Sequence, residues 1–175
     1  MKMVRWTRFT WDLDKLPPRE HPLADRYVIR ASAREEQAAV AEIIVRALSL
    51  DSDWADHYRM FRARMDAEVR LAFERESLPA LVILHGVRIV ATSVLNTDPA
   101  AESHLVSGPC VLAEYRNRGL GAALLHESLV QLAFAGLQEA SGISKENVPA
   151  TRFIYPQFGS TQADCRYDPA ASPQG

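Results

Sequence analysis

A chain of 175 residues can build one domain with its own core and is too short for two comfortable ones. With 47% apolar and 24% charged residues, a net charge of -2 and two cysteines, nothing at the level of the whole chain argues for nucleic acid or an anionic membrane, and there is no disulfide framework. No run approaches the ~20 apolar residues of a membrane helix. Lys2 and Arg5 are followed by no apolar stretch, so the chain is expected in the cytoplasm without a secretory signal. No HExxH or CxxC spacing occurs, and no metal is expected.

Residues 1–25 stand apart as an N-terminal arm. Trp6, Phe9 and Trp11 are expected to lie against the domain, and Pro17-Pro18 forbids a helix. The domain itself is read over 26–168. Arg26 to Ala31 reads as a strand around Tyr27-Val28-Ile29. Ser32, with Glu35 three residues on, has the pattern of a capping box for a helix carrying Ala38, Ala39, Ile43, Ile44 and Ala47. Asp51-Ser52-Asp53 interrupts it and can cap a second helix reaching about Glu76, with Tyr58, Phe61, Met65, Val69, Leu71 and Phe73 along it.

Leu81 to Leu84 and Ile89 to Leu95 are strand-like, with His85-Gly86 suited to a tight turn between them. A third run from His104 to Leu112 is interrupted by Gly108-Pro109, so regular pairing should fail there. A helix then runs from near Gly119 to about Ala135, with Gly121, Leu124, Leu125, Ser128, Leu129 and Leu132 facing the sheet and Gly136 as its stop. Ile143 suits a short strand. Asn147 and Pro149 suit the start of a last helix that Pro156 and Gly159 end. Residues 169–175 are expected to form a flexible tail. This order predicts a single-domain α/β fold whose mostly antiparallel mixed sheet is flanked by helices.

The chemistry concentrates in Arg116-x-x-Gly119-x-Gly121, between a broken strand and an amphipathic helix. The first turn of a helix has unpaired N–H groups and a positive dipole end, which suit a phosphate when the backbone can be approached. Glycines at 119 and 121 remove obstructing side chains, and Arg116 and Arg118 add charge suited to phosphate oxygens. A P-loop is excluded because Ala122 and Ala123 follow Gly121. A dinucleotide fingerprint is excluded by Leu124, which stands where a third small residue belongs.

The stretch from Val111 to Leu125 resembles the central motif of the GNAT superfamily, R/Q-x-x-G-x-G/A, and the element order from about Arg26 to Gly159 resembles that fold. Asn147 through Tyr155 to Phe158-Gly159 resembles the family's final motif. The resemblance implies an acyl-CoA-dependent N-acetyltransferase with acetyl-CoA as cosubstrate and an unidentified amine acceptor, small molecule or peptide, as its partners. It also admits a homodimer. It places the pantetheine arm against the backbone of Cys110 and Val111 and the pyrophosphate, beside Arg116, on the N–H groups of Arg118, Gly119, Leu120, Gly121 and Ala122. Asn147 would lie near the coenzyme arm.

The same resemblance makes Tyr155 the acid that reprotonates the departing thiolate. The family's usual spacing from Asn147 falls instead on Ile154, and one residue is about 100° of helix. Either a bulge restores the position or Tyr155 packs elsewhere. For the base, the candidates are Glu102, His104 and Glu114, of which His104 has the most suitable intrinsic pKa. Cys110 reads as a packing residue beside the coenzyme. Asp51, Asp53, Asp56 and His57 cluster where the acceptor would enter, either to orient a cationic amine or to cap the second helix. A non-catalytic acyl-CoA-binding module is the alternative that these open points sustain.

Overall fold

The computed structural model describes residues 3–173. Residues 1 and 2 of the arm and 174 and 175 of the expected tail lie outside the described residues. Two antiparallel sheets make up the frame. The first takes β2 (Tyr27–Ala31), β3 (Ala80–His85), β4 (Arg88–Val94) and β5 (Cys110–Val111) in that order. The second has β1 (Trp6–Asp12) in the middle, between β6 (Glu139–Lys145) and β7 (Thr161–Cys165).

β3 and β4 are buried on both faces; β3 does so with an apolar run, and in β4 the buried Thr92 and Ser93 are hydrogen-bonded to the Leu81 carbonyl and to Ser128. One face is covered by α1 (Gln37–Ser49) and α2 (Ala55–Arg75), and the other by α3 (Leu120–Phe134). In α2 the buried residues Tyr58, Phe61, Met65, Val69 and Ala72 recur at three- and four-residue spacing, which makes one stripe toward the sheet. In α3 the stripe is Leu124, Leu125, Ser128, Leu129 and Leu132.

Local chemistry modifies the expected helix starts. The chain stays extended past Ser32 to Ala33, and it is Glu36, not Glu35, whose carboxylate accepts the Ala33 N–H at 2.7 Å. Glu36 is fixed there by Arg30, which donates to both its oxygens at 2.7 and 2.9 Å. The Asp51 carboxylate accepts the Asp53 N–H at 2.7 Å and its carbonyl accepts from Trp54 and Ala55, which starts α2.

Residues 6–12, read from sequence within an arm, are a central strand. Trp6 pairs with Lys145 on one side and Cys165 on the other, and Phe9 and Trp11 are wholly buried among Leu105, Leu125 and Leu129. The last helix expected from Asn147 is reduced to one π-turn, Ala150–Ile154. Asn147 has a left-handed backbone, φ 64°, and lies ahead of the turn, whose cap is Pro149.

The two sheets meet at one seam, where the N–H groups of His104 and Leu105 both donate to the Ser141 carbonyl at 2.8 and 3.2 Å. Past the seam Val106 donates back to Val94, Gly108 takes φ 61°, and β5 pairs with β4 alone while β6 pairs with β1. The irregularity at Gly108-Pro109 therefore marks the place where the sheet divides.

Candidate coenzyme site

β5 leads through a turn at Ala113–Tyr115 to Arg116, Asn117 and Gly119, and α3 begins at Leu120. Gly119 has φ 78°, a conformation that suits glycine, and a side chain there would point into open space. It offers no side-chain cap, and the first bonded N–H is that of Ala123, to the Gly119 carbonyl at 3.1 Å. The N–H groups of Leu120, Gly121 and Ala122 thus have no acceptor within the helix. With the dipole behind them these donors could receive an anion, and nothing overhangs Gly119.

Gly121 has a different use. It is buried, and a Cβ there would sit 2.7 Å from the Ile154 Cδ1. Its missing side chain seats the π-turn against α3 rather than clearing a path for phosphate. The two arginines also have partners. Arg116 donates to the Asp51 carboxylate at 2.8 Å and to the Ala47 carbonyl at 3.1 Å, so its charge closes the C-terminal end of α1. Arg118 donates to the Tyr27 hydroxyl at 3.0 Å and lies over the Tyr115 ring.

Cys110 and Val111 form β5, opposite Thr92 and Ala91. The Cys110 thiol donates to the Ser107 carbonyl, and burial pushes its pKa up to about 12, which suits a packing residue and not a nucleophile. Tyr155 is 4% exposed and packs against both Phe9 and Trp11, with ring centroids 5.3 and 5.9 Å away. Its hydroxyl lies against Gly108, where a Cβ would come within 2.0 Å of it. Burial, and to a smaller degree Cys110, raise the phenol above its ordinary value. The Tyr155 N–H bonds the Ala150 carbonyl at 2.8 Å, a five-residue step. A π-turn holds one residue more than an α-turn. The Tyr155 hydroxyl thereby lies at the point where the sheet divides, on a ring that is packed in the core.

A sequence model of the Acetyltransferase (GNAT) family matches residues 49–159. The chain belongs to this family. The fold recurs in a GCN5-related N-acetyltransferase from Sphaerobacter thermophilus, with 20% identity, a TM-score of 0.61, and coverage of 93% of this chain and 50% of that one. It recurs in a GNAT-family acetyltransferase from Colwellia psychrerythraea, with 15% identity, a TM-score of 0.63, and coverage of 93% and 54%. A Drosophila protein shares it at 15% identity and a TM-score of 0.62, with 93% and 50% covered. The chain thus spans about half the length of these structures. No curated protein matches it in sequence.

Within this GNAT chain His104 is committed to the seam. Its Nε2–H donates to the Asp98 carbonyl at 3.0 Å and its Nδ1 accepts the Ser141 N–H at 3.0 Å. The ring's basic lone pair is therefore occupied. Glu114 pairs with Arg88 at 2.8 Å, and Glu102 pairs with Arg64 at 3.3 Å. Asn147 is exposed at the rim of a cavity of about 510 Å³ that Asp53, His57 and Lys145 also line. Lys145 Nζ donates to the Asp53 carbonyl at 2.6 Å and to His57 Nδ1 at 3.1 Å. A second cavity, of about 530 Å³, runs along α2 to Val106 and Ile143 near the seam and holds Arg64, Glu68 and Tyr167. Burial raises the Glu68 carboxyl above its ordinary range although Arg64 bonds it at 3.0 Å.

Lys145, Glu68 and Tyr167 carry no local sequence signal, because strand register and helix packing bring them to these cavities. Asp51 leaves the expected acidic group at 51–57 to pair with Arg116. Among the described residues, no helix is long and apolar enough to cross a membrane, and no group of three potential metal ligands occurs.

Proposed function

We propose that this GNAT chain is an N-acetyltransferase that carries an acetyl group from acetyl-CoA to the amine of a small molecule or peptide. The observation that supports it most is the start of α3, where an uncapped, left-handed Gly119 leaves N–H donors open beside a strand with a free edge. In this reading the backbone from Arg118 to Ala122 holds the pyrophosphate. The edge of β5 that faces away from β4 takes the extended pantetheine arm as an added strand, through Cys110 and Val111. Asn147, in the lining of the cavity with Asp53, His57 and Lys145, is taken to lie near the coenzyme arm.

The coenzyme supplies a thioester carbonyl open to attack by a neutral amine. The chain must then take a proton from the amine and return one to the sulfur. Tyr155 is the proton donor in this proposal, since its hydroxyl reaches the division at Gly108 and its raised pKa keeps it protonated. The amine enters from the α2 face, where Glu68, whose carboxyl burial raises above its ordinary range, takes the role of the base. A cytoplasmic setting goes with this chemistry.

A non-catalytic acyl-CoA-binding module is the second reading. The closure of Tyr155 against Gly108 and the occupied ring of His104 favour it. Incubation with acetyl-CoA and a panel of amines, followed by free-thiol release, separates the two. Amine-dependent thiol release establishes the enzyme. Coenzyme binding without release for any amine establishes the module.

A further inference from the structure

On the outer side of the Arg116–Gly119 loop, away from the Ile154 contact, lies a cluster that the acyl-transfer chemistry does not use. Tyr27 and Tyr115 meet edge to face with centroids 6.3 Å apart, and the His85 ring packs on both. Three guanidinium groups crowd onto these rings. Arg26 lies 5.1 Å from the Tyr27 centroid, and Arg88 and Arg118 lie 5.6 and 5.2 Å from that of Tyr115. All three arginines are exposed. The carboxylate paired within the cluster is Glu114, bound to Arg88. Arg26 and Arg118 together hold the Tyr27 phenol below its ordinary value, a sign of positive potential at the surface.

Gathering like charges on a small aromatic platform costs energy that a bound anion would recover. Arginine forks match phosphate oxygens, and a phosphomonoester carries nearly two negative charges at neutral pH. Arg118 ties this cluster to the open N–H groups at the start of α3. The nucleotide end of coenzyme A places a 3′-phosphate one ribose away from its pyrophosphate. We infer that the Arg26–Arg88–Arg118 cluster on Tyr27 and Tyr115 binds the 3′-phosphate of coenzyme A and selects it over acyl carriers that lack this group. The inference rests on the coenzyme reading above.

Calorimetric titration of the full chain with coenzyme A and with 3′-dephospho-coenzyme A tests it. Wild type should prefer coenzyme A by about tenfold, the order of one charge-assisted contact. Arg26→Ala and Arg88→Ala should each shrink that preference and leave the dephospho affinity in place. Arg26 pairs with no carboxylate among the described residues, so its variant removes one charge and its contact with Tyr27 without freeing a carboxylate. Equal wild-type affinities, or a preference untouched in both variants, would overturn the inference while leaving the coenzyme site standing. Failure of both compounds to bind would remove the coenzyme reading and this inference with it.

Discussion

The start of α3 and the π-turn after β6 flank the same division of the sheet, but one is open and the other closed. At α3 the backbone does the work: Gly119 is left-handed, uncapped and unobstructed. At the π-turn the side chains do it: Tyr155 is packed against Phe9 and Trp11, and Ile154 fills the space that Gly121 leaves. The open side can receive an anion without rearrangement. The closed side sets where a single hydroxyl points, and it depends on a strand from the other end of the chain. Binding and catalysis should therefore fail separately.

The largest effect should come from removing that distant support. Trp11 is wholly buried, and its indole N–H donates to the Gln157 carbonyl at 2.9 Å, just beyond the π-turn. Trp11→Ala should destabilise the protein by about 3–5 kcal/mol, read as a lower urea midpoint with a similar slope. A loss under about 1 kcal/mol would show that β1 does not hold the π-turn and would dissolve the contrast.

Next in size is Gly119→Glu, which sets a carboxylate on the helix N-terminus and a side chain at φ 78°. Acetyl-CoA affinity should fall about 100-fold or more, roughly 2.8 kcal/mol. Circular dichroism should still report a folded chain, because a side chain there meets nothing within 4 Å. Gly121→Ala acts on the closed side instead, where a Cβ collides with Ile154, and should lower the melting temperature. Similar coenzyme loss in both variants, with stability unchanged, would mean that the two glycines share one role.

A smaller effect is expected for Tyr155→Phe. The ring stays packed and only the hydroxyl at Gly108 is lost, so turnover should drop by roughly 10²-fold with acetyl-CoA affinity retained. Unaltered turnover would leave Tyr155 as a core residue and the π-turn as packing alone.

The same contrast governs what is legible in the amino-acid sequence. The glycine loop, the apolar stripes of α1 to α3 and the break at Gly108-Pro109 are local signals, each decided by a few adjacent residues. The role of β1 is not local. Nothing in Trp6–Asp12 says that it will slot between β6 and β7, more than a hundred residues away, because an apolar-alternating segment has no preferred partner until the sheet offers one. The π-turn is hidden for a similar reason: its extra residue follows from fitting Tyr155 and Ile154 into a core that β1 completes. The partners of Arg116 and Arg118 are tertiary too. A motif can specify a loop and leave the direction of its side chains to whatever packs beside it.

His104 supplies the smallest effect and tests the seam from which the open and closed sides diverge. Burial lowers its pKa from the ordinary value, outweighing the Asp98 carbonyl bond that acts the other way. The geometry gives the reason: a proton on Nδ1 would displace the Ser141 N–H that the nitrogen accepts. A histidine with a depressed folded pKa adds stability that is complete above the unfolded value. That stability is lost as pH falls from about 6.5 toward the folded pKa, since the unfolded chain takes up the proton first. Denaturant midpoints measured from pH 7.5 to 5 should decline in that window, and His104→Gln should remove that part of the decline. If the two curves stay parallel, the imidazole is not held neutral by the seam.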